Sequence, residues 1–420
     1  MNALLLHALL RAACGLHPPA AGLRTHGPVS RASSHTARGP PAPLLLQQGD
    51  LSLRQTLETC KLACDSISEL VEQIYERVGG ADGQGAASPG VTLKPDQSFF
   101  TLADGLVQGL LLRLLRRRVA HIVGEEDATA VQLEAPPYAA GGTVAPRELE
   151  GLVARVRAEV DRLAAGLPEG ALPLTAFVDP IDGTREFCTG GGEACTICIG
   201  FADERGAAIG GLVYRPLEKP RTWAMGSARE QYARSSLRAA GGAGRGEGEG
   251  FLTSGRAVSP FLTKLREVLG MRRLAVGGAG NKALMLLEGT GACYIQDRGL
   301  SRWDTCAAEA VLAAHGGLVV KLTRFANGGE LESYRYLRSE VNLDFEPGVC
   351  RLTRYNAAKG ALPQLAKAAG APLLVESAAQ LNPYSNTCGV VALASSEPAV
   401  LLRYREAIQR AASTSPPEYD

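Results

Sequence analysis

The sequence carries almost no net charge: 44 Lys and Arg stand against 43 Asp and Glu, leaving +1 over 420 residues. A nucleic-acid backbone is held by concentrated basic residues, so a surface for a nucleic-acid polymer is not expected. Acidic phosphorylated small molecules stay open, because a pocket needs only a few local charges or a metal ion. Long apolar runs are also missing. No stretch reaches the roughly 18 uninterrupted apolar residues of a membrane span, so stable membrane insertion is not expected. The 10 cysteines are scattered and follow no metal-ligand framework. Cys195 and Cys198 have the spacing of half a zinc knuckle, yet they sit in the apolar run ACTICIGFA without a second pair, and core cysteines are expected. No repeat appears at a solenoid period. With 45% hydrophobic residues and this length, the chain is neither a disulfide miniprotein, a collagen nor wholly disordered; one large domain or two packed lobes are allowed.

Acidic residues are absent before Asp50, while Arg11, Arg24, Arg31 and Arg38 fall within that stretch. The opening MNALLLHALLRAACGL, followed by Pro, Ser, His and Ala, reads as a disordered leader over 1–49, best explained as an organellar transit peptide. A mitochondrion or chloroplast is the expected destination, with the cytoplasm as the alternative. Secretion fits less well, since the n-region has no Lys or Arg. Beyond the leader, the low-complexity stretch SLRAAGGAGRGEGEG (236–250) divides a 50–235 α+β lobe carrying a metal site from a 251–410 α/β lobe closing a substrate cleft.

Periodicity predicts helices over Leu51–Val78, Asp104–Val119, Glu148–Leu167, Pro260–Leu269, Asn281–Leu287, Asp304–His315 and Leu362–Ala369. Strands are expected at His121–Val123, at AFVD ending on Asp179, and as a hairpin of Cys195–Phe201 with Ala208–Tyr214. Further strands are expected at Leu274–Val276, Cys293–Ile295 and Leu318–Val320, whereas 321–385 is poorly legible. The order suits layered helices and mixed sheets.

Three acidic clusters sit where such elements end: Glu125-Glu126-Asp127 after HIVG, Asp179-Pro-Ile-Asp182-Gly-Thr184 after AFV, and Asp304 at the head of an apolar helix. Pro180 restricts its own and its neighbour's backbone, so the chain turns sharply and both aspartates can enter one volume. Two close carboxylates repel unless a proton or metal lies between them. The competing reading makes Asp182 or Thr184 a helix N-cap. Glu125, Asp179, Asp182 and Asp304, with the Ile181 carbonyl, offer hard oxygen donors without His or Cys, which suits Mg²⁺ rather than zinc. Several carboxylates around two or more Mg²⁺ ions imply phosphoryl chemistry. The run Gly277-Gly-Ala-Gly280-Asn-Lys282 fails the P-loop and dinucleotide patterns. What remains is a tight turn into a helix whose free N–H groups could take an anion.

Four ordered strings, IVGEED (122–127), VDPIDGTREF (178–187), VGGAGNK (276–282) and WDTCAAEAVLAAHGG (303–317), resemble the lithium-sensitive, magnesium-dependent phosphomonoesterases related to inositol monophosphatase. With TLAD (101–104), the resemblance covers about 50–320 and more weakly the tail. It implies an α+β layered sandwich of the αβαβα type shared with fructose-1,6-bisphosphatase, and two or three Mg²⁺ ions. Glu125, Asp179, Asp182, Asp304 and the Ile181 carbonyl are then the metal ligands. Asp104 and Thr184 orient the attacking water, with Glu126 as a further acid. Gly183, Thr253, Gly278 and Lys282 contact substrate, and Arg256 stands where relatives carry His.

Within the superfamily, the site strings are most similar to the 3'(2'),5'-bisphosphate nucleotidases, which remove one phosphate from 3'-phosphoadenosine 5'-phosphate. DQSFFTLADGLVQ (96–108) is instead similar to the inositol polyphosphate 1-phosphatases. The expected partner is thus a small phosphorylated substrate, for a monomer or homodimer. An inositol phosphate phosphatase is the alternative enzyme, and a non-catalytic phosphate-ligand binding protein the alternative of another class.

Overall fold

In the computed structural model, residues 52–78, 91–93, 99–238, 250–255, 258–338, 384–417 and 419 are described. The leader at 1–49, Arg256, the helix expected at Leu362–Ala369 and most of the 236–250 loop lie outside them.

From the amino end come α1 (Leu53–Val78), the antiparallel pair β1 (Val91–Leu93) and β2 (Phe99–Thr101), α2 (Leu102–Leu115) and β3 (Val119–Gly124). A small sheet of β4 (Val131–Gln132), β5 (Ala139–Ala140) and β6 (Thr143–Val144) precedes α3 (Arg147–Gly166) and the long β7 (Leu172–Asp182). Then follow α4 (Thr184–Cys188), β8 (Thr196–Ala202), β9 (Ala208–Arg215), β10 (Thr222–Ser227) and β11 (Tyr232–Ser235). After 250 the chain forms β12 (Gly250–Thr253), α5 (Pro260–Leu269), β13 (Arg272–Ala275), α6 (Ala279–Glu288) and β14 (Cys293–Gln296). It ends with α7 (Arg302–Ala314), β15 (Leu318–Lys321), α8 (Leu322–Ala326), β16 (Val390–Leu393) and α9 (Pro398–Ala412).

Two large sheets carry the fold. One has the order β11-β10-β9-β8-β7-β3, antiparallel except at the β7–β3 edge. The other has the order β13-β12-β14-β16-β15, parallel through β14 and antiparallel beyond it. Helices α1, α2 and α3 pack on one another, α1 and α2 also lie against the first sheet, and α6 and α7 contact both sheets. Helices α5 and α9 join the core around the second sheet. The architecture is therefore the expected mixed α/β layering of the inositol monophosphatase and fructose-1,6-bisphosphatase type. Among the described residues no helix is long and apolar enough to cross a membrane.

Local sequence explains the key placements. Helix α1 buries Leu57, Cys60, Cys64, Ile67, Val71 and Ile74, the apolar steps three and four apart that predict it. Helix α7 can lie close on the first sheet because the facing pair Gly200 and Gly211 has no side chains there. A Cβ at Gly200 would fall 2.5 Å from the Ala307 nitrogen, and one at Gly211 2.7 Å from the Ala307 oxygen. That approach sets the head of α7, and with it Asp304, near the end of β7.

Candidate active site

Strand β7 does not stop at Asp179, as the sequence suggests, but runs through Asp182 with an irregularity. Its register with β8 pairs Asp179 with Cys198 and then Asp182 with Thr196, so β7 holds one extra residue there. Residues three apart on a regular strand face opposite sides. The bulge cancels that alternation and turns both carboxylates to one side. The N-cap of α4 is Gly183 at φ +92°, with no side-chain cap, so neither Asp182 nor Thr184 caps it.

Capping explains the other two aspartates. Asp104 is the third residue of α2, where its Oδ2 accepts the Thr101 N–H at 2.7 Å and the Thr101 hydroxyl at 2.5 Å. Asp304 holds the same place in α7, accepting the Ser301 N–H at 2.6 Å. Both S/T-x-x-D boxes lock a carboxylate to a helix start while leaving its second oxygen for other partners.

Asp179, Asp182 and Asp304 each bring an oxygen within 4.8 Å of the others. Burial, then Glu125, Asp182 and Asp304, hold the Asp179 carboxyl well above its ordinary range. Burial, then Asp182 and Glu125, push Asp304 up to about 8. Asp182 is raised by burial too, opposed by Lys282, by N–H groups of Gly280 and Ala279, and by Thr196. Oδ1 of Asp179 is buried with no hydrogen-bond partner. Crowded, all-oxygen donors with an orphaned lone pair fit a hard divalent cation, and the trio forms a candidate site for one Mg²⁺. Among the described residues no cysteine or histidine joins such a cluster; Cys195 and Cys198 are buried thiols.

The remaining predicted residues lie outside this trio. Glu125 donates its N–H to Val178 O at 3.0 Å, beside Asp179, but lies outside the 4.8 Å group. Glu126 is held through its backbone, its N–H donating to Gln108 Oε1 at 2.9 Å. The Thr184 hydroxyl has Ile181 O at 2.9 Å and Asp104 Oδ1 at 3.2 Å as acceptors, so Asp104, Thr184 and Ile181 come together. Gly183, Thr184, Gly278 and Lys282 line a cleft of about 220 Å³ with Asp182 and Asp304. Thr253 does not line it; its hydroxyl accepts from Arg273 at 2.8 Å, while the next residue, Ser254, reaches the wall.

The glycine turn before α6 differs from its anion-cradle reading. Gly280 donates its N–H to Asp182 Oδ2 at 2.6 Å, so that donor serves the protein's own carboxylate. Lys282 donates to Gly278 O at 2.9 Å and lies 4.9 Å from the centre of the Tyr294 ring. Burial lowers its ammonium pKa against the pull of Asp182, Glu186 and Asp304. Tyr294, itself part of the core around the second sheet, also lines the cleft.

Gln108, Glu186 and Asn386 escaped the sequence reading. Gln108 lies one helical turn beyond Asp104, a spacing that could have revealed it, and its amide brackets the Glu126 peptide. Gly124 makes room, since a Cβ there would sit 2.4 Å from Gln108 Oε1. Asn386 donates to Thr305 Oγ1 at 2.8 Å and Ser301 O at 3.0 Å and accepts from the buried Arg302, clamping the turn that carries Asp304. No local pattern marks Asn386.

A family model described as the inositol monophosphatase family matches residues 53–339. Mouse 3'(2'),5'-bisphosphate nucleotidase 1 is 35% identical over 152 residues, which are 34% of this chain and 48% of that protein. Putative inositol monophosphatase 3 of Drosophila melanogaster is 27% identical over 281 residues, 62% of this chain and 68% of its own. The chain thus spans about half the length of the nucleotidases it matches. The solved inositol monophosphatase from Zymomonas mobilis is 13% identical, covering 73% of this chain and 94% of its own at a TM-score of 0.37. With a match that takes in more than half of its residues, the chain belongs to the inositol monophosphatase family.

Proposed function

We propose that the protein is a Mg²⁺-dependent phosphomonoester hydrolase that removes the 3'(2')-phosphate from 3'(2'),5'-bisphosphonucleosides such as 3'-phosphoadenosine 5'-phosphate, using two or three Mg²⁺ ions. The observation that carries the reading is the Asp179–Asp182–Asp304 trio, with its orphaned oxygen, beside the Thr184–Asp104 pair at one cleft. Bound by that trio and Glu125, the cation would supply positive charge that acidifies water and neutralises phosphate oxygens. The chain's own residues do the rest. Asp104, fixed by Thr101, restrains the Thr184 hydroxyl, which donates to Asp104 and accepts a hydrogen bond from the attacking water, aiming its lone pair at phosphorus. Glu126, with its peptide bracketed by Gln108, stands ready as a further acid. Lys282 supplies positive charge for the unreacted phosphate, and Tyr294 beside it offers a ring face for a base. Arg256 is assigned to the same distal phosphate on sequence grounds alone.

Nucleotide specificity is supported by the site strings and by the name of the mouse relative. A second reading, inositol polyphosphate 1-phosphatase, is favoured by Phe99, which comes from the segment similar to those enzymes and lines the cleft. Phosphate release from 3'-phosphoadenosine 5'-phosphate and inositol 1,4-bisphosphate, side by side with Mg²⁺ or EDTA, separates the two. Release from neither, with Mg²⁺ still bound, would establish a phosphate-ligand binding protein instead. The acid-free, arginine-bearing 1–49 stretch is proposed to target an organelle, which a fluorescent fusion with and without it checks.

A further inference from the structure

Among the side chains of the cleft that the scheme above does not use, one is acidic. Glu186, half-buried on α4, lines the same wall as Gly277 and Gly278. Its position is built into the chain. A Cβ at Gly277 would fall 2.2 Å from Glu186 Cδ and 2.6 Å from its Oε2, so the carboxylate fills the space that any side chain at 277 would take. A Cβ at Gly278 would fall 3.2 Å from Asp182 Oδ2. The two carboxylates therefore lie against adjoining residues of one turn, which puts Glu186 next to the candidate metal centre.

Glu186 is nevertheless unspent. Of the two cations that line the cleft, Lys282 directs its ammonium to Gly278 O at 2.9 Å, and neither it nor Arg185 makes an ion pair with Glu186. Among the described residues no donor bonds to the Glu186 carboxylate. An ionised carboxylate only accepts hydrogen bonds, so what complements it is a hydroxyl or N–H; a phosphate placed there meets like charge. On the phosphomonoesterase reading the phosphate end of a substrate sits at the trio, through the cation these carboxylates would hold, and the group beside that end on a sugar or cyclitol is a hydroxyl.

We infer that Glu186 is a specificity-determining residue whose carboxylate accepts the substrate hydroxyl neighbouring the ester to be cleaved and keeps a second phosphate off that wall. The inference rests on the phosphomonoesterase reading and adds to it which face of the substrate turns toward α4. It also explains Gly277, the partner without which the carboxylate could not enter the cleft.

The test compares kcat/KM for three compounds built on whichever parent is turned over: the parent with its free vicinal hydroxyl, its deoxy analogue, and the analogue phosphorylated at that hydroxyl. For 3'-phosphoadenosine 5'-phosphate these are the 2'-hydroxyl, 2'-deoxy and 2'-phospho forms. Losing a hydrogen bond to a charged group weakens wild-type turnover of the deoxy form about 10- to 100-fold. In Glu186→Ala the hydroxyl-to-deoxy ratio falls toward 1. Glu186→Gln, which removes the charge and keeps the shape, accepts the doubly phosphorylated analogue about 10-fold better than wild type. Gly277→Ala, which displaces the carboxylate without deleting it, lowers the same ratio. The rise in Tm with Mg²⁺ in each variant shows that the metal centre is still formed. Turnover with wild-type ratios in Glu186→Ala and Glu186→Gln overturns the inference alone. No release by the wild-type protein from any phosphomonoester overturns the activity reading, and the inference with it.

Discussion

Replacing Asp179 by asparagine should stabilise the metal-free protein while abolishing turnover. Oxygens of Asp179, Asp182 and Asp304 lie within 4.8 Å of one another. At an effective dielectric of 20, two unit charges at that separation repel by about 3.5 kcal/mol. The metal-free wild type relieves part of this by holding protons, which is why the Asp179 carboxyl is raised and Asp304 reaches about 8. A carboxyl whose folded pKa exceeds its unfolded one stabilises fully below the unfolded value. That contribution is lost as pH rises toward the folded value, here between 3.8 and about 8 for Asp304. The substituted side chain carries no charge to repel, and its amide can donate to the neighbouring carboxylates. In EDTA at pH 8 the variant should therefore gain up to one pair's repulsion. Over the Gly49–Asp420 unit, at about 2.1 cal/mol/K per residue, that is ~4 °C in Tm. Mg²⁺ at a thousand times its Kd should add about 4.1 kcal/mol to the wild type and almost nothing to the variant, so the order of stability inverts. Calorimetry in EDTA and in Mg²⁺, with phosphate release measured alongside, reads both effects. A variant less stable than wild type in EDTA, with its Mg²⁺ shift intact, would refute the claim that these carboxylates are held together against repulsion for a cation.

Thr184→Ala should lower kcat about 10²- to 10⁴-fold. Its Mg²⁺-induced Tm shift should stay at the wild-type value, because the hydroxyl lies outside the trio; a full-rate enzyme removes Thr184 from water activation. Asn386→Ala should weaken apparent Mg²⁺ affinity about 10-fold by loosening the turn under Asp304, with kcat largely recovered at saturating Mg²⁺. Unchanged Mg²⁺ titration curves would show that the clamp does not position Asp304. Burial raises the Glu309 carboxyl from 4.5 to about 7, against the hydrogen bond that Tyr336 donates at 2.7 Å. Its contribution is complete below pH 4.5 and is lost as pH rises through 7, about 3 kcal/mol across the window. Urea midpoints from pH 5 to 8 should accordingly fall less steeply in Glu309→Gln than in wild type; parallel curves exclude that assignment.

Short-range chemistry is what could be read from the order of residues. Apolar residues three and four apart announced α1, α3 and α5, and the β8–β9 hairpin was legible from its two apolar strands and glycine-bearing turn. Asp104 and Asp304 were legible at helix starts, and the structure adds that TLAD and SRWD close capping boxes there. Oxygen-only donors at strand and helix ends already pointed to a hard cation. The short strands β12 and β16 stayed hidden, since a run of four buried residues is too short to show a period that separates strand from helix. Long-range packing supplied the rest. It made Asp179 and Asp182 neighbours through a bulge, containing Pro180, in the register of β7 with β8. It gave the Gly280 N–H to Asp182, brought Tyr294 to the cleft, and seated Glu186 over Gly277. Each of these joins segments remote in the chain. Their geometry follows from how sheets and helices pack, which no local pattern of residues encodes.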